Sequence, residues 1–256
     1  HPCASHYAIH AFDSPDLARL ALPSAQRYAK IAPSSHHAQH MPAHIFVQLG
    51  MWPEAAESNE KGWATSKKWV KRKKLPKSKL DYHSLHWLHY VYLQQGLMDK
   101  AEAIFKLQQK DMAEGIQAAA ESKPNPNLNS GDYYHNMLAA ATIETEQWEK
   151  AKQLIPPQGW KPATSSKAGY YFVRGYAAAM QGDNEVKKIY VLELKTIRGI
   201  IREYYSSRPE NLKVWKLEQR IAVWELEIEV AVKLFEKDYK AAIQLAKKAT
   251  LVEEKL

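Results

Sequence analysis

Apolar residues recur three and four positions apart along most of the chain, and the alternating patterns typical of strands are short. Long segments are filled by Ala, Leu, Lys, Glu, Gln and Met, which favour helices, while Gly is scarce, with 10 in 256 residues. No apolar run approaches the roughly 18 residues that a membrane-spanning helix needs. The pattern therefore predicts a soluble, folded, all-α protein without a transmembrane segment.

One short phrase recurs within this helical pattern and indicates internal repeats. It combines a turn residue, a large residue two positions later and, in most copies, Ala three positions after that. It begins at Gly50, Gly96, Glu146, Gly182 and, more weakly, Lys237. We expect the turn residue to end one helix, the large residue to plug the turn, and the small Ala to let the next helix approach closely. Such a phrase is typical of helical hairpins of the tetratricopeptide type.

The spacing of the phrase predicts an α-solenoid of about six hairpins with inserted loops. Successive copies lie 46, 50, 36 and 55 residues apart, more than the roughly 34 residues of a tetratricopeptide repeat. We expect the insertions at residues 62–80, 122–131 and 156–167. The first helices of the hairpins are expected near residues 2–15, 36–49, 82–95, 132–145, 168–181 and 223–236. Residues 1–256 would form a single solenoid, with histidine-lined repeats over 1–105, degenerate repeats over 106–256, and a concave groove lined by the first helices.

Histidines are confined to the first half of the chain, where all eleven lie within 135 residues. Seven of them fall on one stripe of three successive first helices. We predict that these seven are metal ligands: His6, His10, His37, His40, His44, His83 and His86. Their spacings of three and four put each set on one helical face. Neutral imidazole is a favoured ligand of zinc, copper and iron, so the stripe predicts a transition metal site. The alternative is a groove that is merely polar or responds to pH.

Several other residues near the stripe have two interpretations. Pro42 interrupts the backbone between His40 and His44, so it either aims both side chains at one point or simply starts a helix. Three acidic residues could orient imidazoles or act as ordinary helix caps: Asp13, Asp81 and Asp132. Five tyrosines near the stripe are expected to pack in the core: Tyr7, Tyr82, Tyr90, Tyr133 and Tyr134. Three histidines lie off the stripe and are expected to pack or cap: His36, His89 and His135.

The net charge of +8 comes from one segment, because residues 67–79 hold eight Lys or Arg and no acid. The segment includes Trp69 and would suit an acidic partner, but we expect a solvated loop, and nucleic-acid binding is disfavoured.

The single Cys3 excludes an internal disulfide and a zinc finger built on cysteines. No phosphate-binding loop or serine-hydrolase motif occurs, which argues against nucleotide-dependent and serine-hydrolase functions.

The histidine segments resemble a group of bacterial tetratricopeptide-repeat proteins. They are HPCASHYAIHA from residue 1, HAQHMPAHI from residue 37 and HSLHWL from residue 83. The group carries HPGxxHYxIHA, HxxHMPxHI and HxxDYL, and the likeness extends over about the first 105 residues. Cys3 replaces the Gly of that pattern, and His86 replaces its Asp, which keeps a metal-ligating side chain. The resemblance implies the solenoid fold and a position of His1 inside a longer protein, but it implies no established reaction.

Three hypotheses follow for the function. The leading one is an interaction scaffold that binds a protein or peptide partner and holds a transition metal in its groove. The first alternative is a metalloenzyme in which the metal activates water or binds oxygen, with Asp81 or a Tyr assisting. The second is a plain scaffold that grips a peptide without metal. The compartment stays open, with a lean towards a periplasmic or secreted protein.

Overall fold

The computed structural model describes residues 1–121, 129–153, 164–207 and 210–255, and every regular element in these ranges is helical. The prediction of an all-α protein is confirmed. The chain forms two compact units, His1–Met137 and Leu138–Leu256. A single repeat array running through both units stays a prediction.

The first unit is built from short and long helices in succession. These are α1 (Pro2–Ala11), α2 (Ala18–Ile31), α3 (His36–His40), α4 (Pro42–Gln48), α5 (Trp52–Lys73), α6 (Tyr82–Gln94), α7 (Met98–Ala120) and the start of α8 (Asn129–Thr145). A short 3₁₀ turn, Lys77–Lys79, precedes α6. Neighbours in sequence pack together: α1 on α2, α3 and α4 on α5, α5 on α6, and α6 on α7. The core between them includes Ile9, Met41, Ile45 and Leu85, all essentially inaccessible to solvent.

The second unit continues with α9 (Trp148–Gln153), α10 (Thr164–Met180), α11 (Asn184–Ser206), α12 (Leu212–Phe235) and α13 (Tyr239–Glu253). Each packs on the next from α9 to α13, and α10 also packs on α12. Arg198 of α11 joins Glu218 and Glu225 of α12 through ion pairs of 2.7 and 2.8 Å. None of the described helices combines the length and the apolar character needed to cross a membrane.

The recurring phrase marks helix ends, as predicted. The first residue of each of the five copies adopts a left-handed backbone conformation, with φ of 67° at Gly50, 69° at Gly96, 54° at Glu146, 71° at Gly182 and 59° at Lys237. After four of them the next backbone N–H bonds back five residues, as in Met51 N–H to the Phe46 carbonyl at 2.8 Å. The following alanines are buried: Ala55, Ala101, Ala151 and Ala242. The large residue varies between copies, because Trp52 and Trp148 are half-buried whereas Met98 and Tyr239 are 45% and 61% exposed.

Several predicted boundaries are wrong. Residues 62–73, expected in an insertion, form the second half of the 22-residue helix α5. Small residues on one face of α5 let it pack against α3 and α6. This packing stabilises a helix where the run of basic residues had indicated a loop. Helix α12 begins at Leu212 rather than near 223. Residues 129–131 and 164–167 are also helical, and the remainder of those two predicted insertions, 122–128 and 156–163, lies outside the described residues.

Candidate metal centre

Helices α3, α4 and α6 bring together three histidines that we call the inner triad: His40, His44 and His83. Each offers one ring nitrogen, and these atoms lie within 4.8 Å of one another. The Nε2 atoms of His40 and His44 are 3.1 Å apart. Two nitrogens bound to one tetrahedral metal at about 2.0–2.1 Å are roughly 3.3 Å apart, so the spacing is close to that of a coordinated pair.

Pro42 lies between the two histidines of this pair and has no backbone N–H to donate to the helical hydrogen bonds. Helix α3 ends at His40 and α4 begins at Pro42, while Met41 between them keeps right-handed helical angles, φ −51° and ψ −36°. The direction of the helix therefore changes little, and His40 and His44 stay one turn apart on the same face. The structure therefore shows Pro42 as the start of a helix, and the spacing of four residues is enough to bring the two imidazoles together.

Hydrogen bonds fix which nitrogen of His40 carries a proton. The Asn59 amide nitrogen donates to the Ala55 carbonyl at 2.9 Å, so its oxygen Oδ1 faces His40. Nδ1 of His40 lies 2.6 Å from that oxygen and must donate to it. Burial also holds the pKa of His40 down, to about 3, so the ring is neutral at pH 7. Its Nε2 consequently presents a lone pair.

The same arrangement holds at His44. Its Nδ1 donates to Asp13 Oδ2 at 2.7 Å, and this hydrogen bond lowers the pKa of the Asp13 carboxyl, which is ionised at neutral pH. Gln48 donates to the other oxygen of Asp13 at 3.1 Å and holds it in place. A ligating histidine usually has such a carboxylate or carbonyl partner, which orients the ring and makes it more basic. With both Nδ1 atoms engaged by other partners, His40 and His44 face each other through their Nε2 atoms.

One face of α5 supports the inner triad and was not foreseen from the sequence. Its small and polar side chains recur at helical spacing: Ser58, Asn59, Gly62 and Ser66. The Ser58 hydroxyl donates to the Gln39 carbonyl at 2.5 Å, and Ser66 accepts from the Asp81 backbone N–H at 2.8 Å. A Cβ at Gly62 would lie 2.8 Å from Ser84 Oγ and 3.2 Å from His40 Cβ. Only glycine therefore lets α3 and α6 approach α5 this closely. The helical spacing of these small residues is the sequence signal from which this face could have been predicted.

Trp87 covers the inner triad from α6, one turn beyond His83. Its ring centroid lies 4.4 Å from that of His44, 5.5 Å from that of His40 and 5.9 Å from that of His83. A tryptophan in this position excludes water from one side of the imidazoles. Burial lowers the pKa of His83 as well, which keeps this ring neutral too.

A cavity of about 360 Å³ opens beside His83. Its lining includes Asp81, Tyr133, Asn136 and His36. Asp81 is the N-cap of α6 and accepts from the Ser84 backbone N–H at 3.1 Å, and its Oδ2 also accepts from His36 Nδ1 at 2.9 Å. Asp81 therefore combines the two roles considered from the sequence, although the histidine it orients is the off-stripe His36.

A second cluster, which we call the outer triad, consists of His6 and His10 of α1 and His37 of α3. Nε2 of His6 lies 3.1 Å from Nε2 of His10 and 3.0 Å from Nε2 of His37. The triad lies at the surface, with His10 and His37 exposed. Burial, ahead of the neighbouring imidazoles, lowers the pKa of His6 and of His37.

The structure brings six of the seven predicted ligands together and leaves out His86. The His86 ring packs against Tyr133 with centroids 5.7 Å apart, and burial lowers its pKa to about 4.

The off-stripe His89 and His135 are buried side chains, as expected, while His36 pairs with Asp81. Among the tyrosines, Tyr82 and Tyr134 are buried but Tyr7 is 69% exposed, contrary to expectation. The side chain of Asp132 lies outside the described residues.

The basic segment is partly paired within the chain. Lys77 donates to Asp111 at 3.2 Å and to Glu114 at 2.6 Å, both on α7. Residues 67–73 form the last turns of α5, where Trp69 packs on His36 with ring centroids 5.7 Å apart. The predicted solvated loop is therefore confined to a short connection after Lys73.

Comparisons of the chain with protein families, with curated proteins and with solved structures found no match. The two histidine triads are the features of the chain that point to a function.

Proposed function

We propose that this protein binds a transition metal ion at the inner triad, His40, His44 and His83. The observation that carries the proposal is the pair of Nε2 atoms of His40 and His44, which lie 3.1 Å apart while both Nδ1 atoms are engaged by other partners. A metal ion held between the two rings would take a lone pair from each of these Nε2 atoms. Asn59 and Asp13 hold both rings in the ligating tautomer, as partners of metal-bound histidines do.

The donor set favours zinc, copper or iron over magnesium or calcium. Three imidazole nitrogens are borderline-soft ligands, whereas the harder cations prefer oxygen. Three protein ligands leave a fourth position of a tetrahedral ion for water or another molecule. The ion itself would be a Lewis acid that could polarise whatever occupies that position.

Metal analysis of the purified full chain by mass spectrometry tests the proposal. After supplementation with zinc, copper or iron and dialysis, we expect about one tightly held ion per chain, as for a site with three protein ligands. The His40→Ala/His44→Ala double variant should lose it, and His86→Ala, on the same predicted stripe but outside both triads, should retain it. Since His40 is buried, the half-buried His83→Ala serves as a second variant if the first fails to fold. Retention of the ion in the triad variants would refute the assignment.

The scaffold around the centre is proposed to be of the tetratricopeptide type. Support comes from the left-handed helix ends at the five repeat anchors and from packing between helices that are neighbours in sequence. Such hairpins commonly present a groove to a peptide, which is the basis for proposing a protein or peptide partner. Pull-down with the metal-loaded and metal-free chain would show whether partner binding depends on the ion.

A metalloenzyme is the second candidate, and the cavity beside His83 favours it. The cavity places Asp81 and the Tyr133 ring next to one metal ligand, where a bound molecule would meet both. Hydrolysis of an activated ester by the zinc-loaded chain, compared with the apo chain and with His83→Ala, tests this. Activity equal to that of the apo chain would leave only the binding function.

A further inference from the structure

The outer triad has the geometry of a metal site of its own. His6 and His10 lie one turn apart on α1, and His37 comes from α3, so two elements contribute ligands. The Nε2 separations of 3.0 and 3.1 Å match those of the inner pair. Tyr28 stacks on His6 with ring centroids 5.8 Å apart and limits its movement.

The two triads adjoin through two ring pairs. His37 and His40 are one turn apart on α3, with ring centroids separated by 6.5 Å. His10 and His44 come from α1 and α4, with ring centroids 5.9 Å apart. An ion that leaves the outer triad would therefore meet an inner ligand within one side-chain length.

The triads differ in how firmly they are held. In the inner triad His40 is fully buried, and both His40 and His44 are oriented by partners at Nδ1. In the outer triad two rings are exposed, and no Nδ1 partner is found among the described residues. Loss of such a partner commonly weakens metal affinity by about 10–100-fold. Two nearby cations also repel, so an ion in the inner triad further weakens binding outside.

From these differences we infer that the outer triad is a second, exchangeable metal site that takes ions from solvent and passes them to the inner triad. The inference rests on the proposed function of the inner triad. The roles follow exposure. The more exposed outer triad captures the ion, and the more buried inner triad retains it. The ion changes ligands in this transfer, with no change of oxidation state.

Equilibrium titration of the apo full chain with Zn²⁺, followed by calorimetry, tests the stoichiometry. We expect two ions per chain with affinities that differ by about tenfold or more, given the unsupported ligands of the outer triad. The His6→Ala/His37→Ala variant should keep only the tighter event, and His40→Ala/His44→Ala only the weaker one.

Rapid mixing with Co²⁺ tests the transfer, because its absorption bands report tetrahedral nitrogen coordination. The tight site should fill about tenfold more slowly in His6→Ala/His37→Ala than in the parent, since capture at the surface is lost. Arg19→Ala, an exposed change on the neighbouring helix α2, should fill at the parental rate. Binding of a single ion by the parent, or an unchanged filling rate in the outer variant, overturns the inference while leaving the inner site intact. Loss of the tight event only in the outer variant would instead refute the proposed function.

Discussion

Single hydrogen bonds at Nδ1 determine the chemistry of His40 and His44. Histidine can bind a metal through either nitrogen, and a hydrogen-bond partner at one nitrogen leaves the other as the metal ligand. Here Asn59 accepts from Nδ1 of His40 at 2.6 Å and Asp13 accepts from Nδ1 of His44 at 2.7 Å, so Nε2 is the free nitrogen in both rings. Neither partner is near its histidine in sequence, so their effect could not be assigned from spacing alone.

Replacing the carboxylate of Asp13 tests this role without removing a ligand. In Asp13→Asn the partner of His44 loses its charge, and the ring is held less firmly in the ligating tautomer. We expect metal affinity to fall by about 10–100-fold with little change in fold. Calorimetric titration with Zn²⁺ measures the effect, and Asp16→Asn, an exposed change in the same connection, is the control. Equal affinities in both variants would argue against a supporting role for Asp13.

Glu227 of α12 gives the second unit a specific dependence on pH. Burial raises its pKa to about 7, and Glu253 adds to the shift. Below pH 4.5 the carboxyl is protonated in both the folded and the unfolded chain. Between about pH 4.5 and 7 the unfolded chain ionises first, so the free energy of unfolding falls as the pH rises, and the loss is complete above pH 7.

Glu227→Gln should remove this loss, because the amide stays neutral at every pH. We expect the variant to be about 1–2 kcal/mol more stable than the parent at pH 8, a figure reduced for the partial exposure of the side chain. At pH 4.5 the two should be similar. Urea denaturation followed by circular dichroism measures the difference, with the exposed Glu229→Gln as control. A gain in stability that is the same at both pH values would contradict this explanation.

At the scale of elements, the helix ends are controlled by a few left-handed residues. Gly50, Gly96 and Gly182 adopt this conformation without a steric penalty, whereas Glu146 and Lys237 do so with a side chain. The penalty for an L-residue is about 1 kcal/mol or somewhat more. The repeat phrase thus has two copies whose turns are strained.

Lys237→Gly should relieve that strain. We expect the free energy of unfolding of the second unit to rise by about 1 kcal/mol, although the greater flexibility of glycine in the unfolded chain offsets part of the gain. Lys247→Gly, exposed inside α13, should have the opposite effect and cost about 1 kcal/mol. Urea denaturation of both variants provides the comparison. A loss of stability in both would show that strain at Lys237 is negligible.

At the scale of the whole molecule, the six facing histidines all lie in the first unit, His1–Met137. A ligand that binds only the folded state stabilises it by mass action, by about 2.7 kcal/mol at a free concentration one hundred times Kd. The stabilisation should concentrate on the helices that carry the ligands. Metal binding therefore has a spatial pattern that can be measured.

Hydrogen exchange with and without Zn²⁺ should reveal this pattern. We expect amides of α3, α4 and α6 to exchange up to about one hundredfold more slowly with metal at that concentration. Amides of α11, α12 and α13, which carry no histidine, should be unaffected. The His40→Ala/His44→Ala variant should show no protection. Equal protection in α11–α13 would mean that the ion also binds elsewhere.

The sequence by itself determined the helical class, the helix ends and the stripe of histidines, because these depend on local periodicity and turn chemistry. It failed at residues 62–73, where the charge pattern indicated a loop and packing made a helix. Only the tertiary structure decided that the stripe divides into two triads, that His86 belongs to neither, and that Asn59 and Asp13 orient the inner pair. These features depend on how closely α1, α3, α4, α5 and α6 approach one another. That approach is set by contacts between residues far apart in the chain, such as Gly62 against His40.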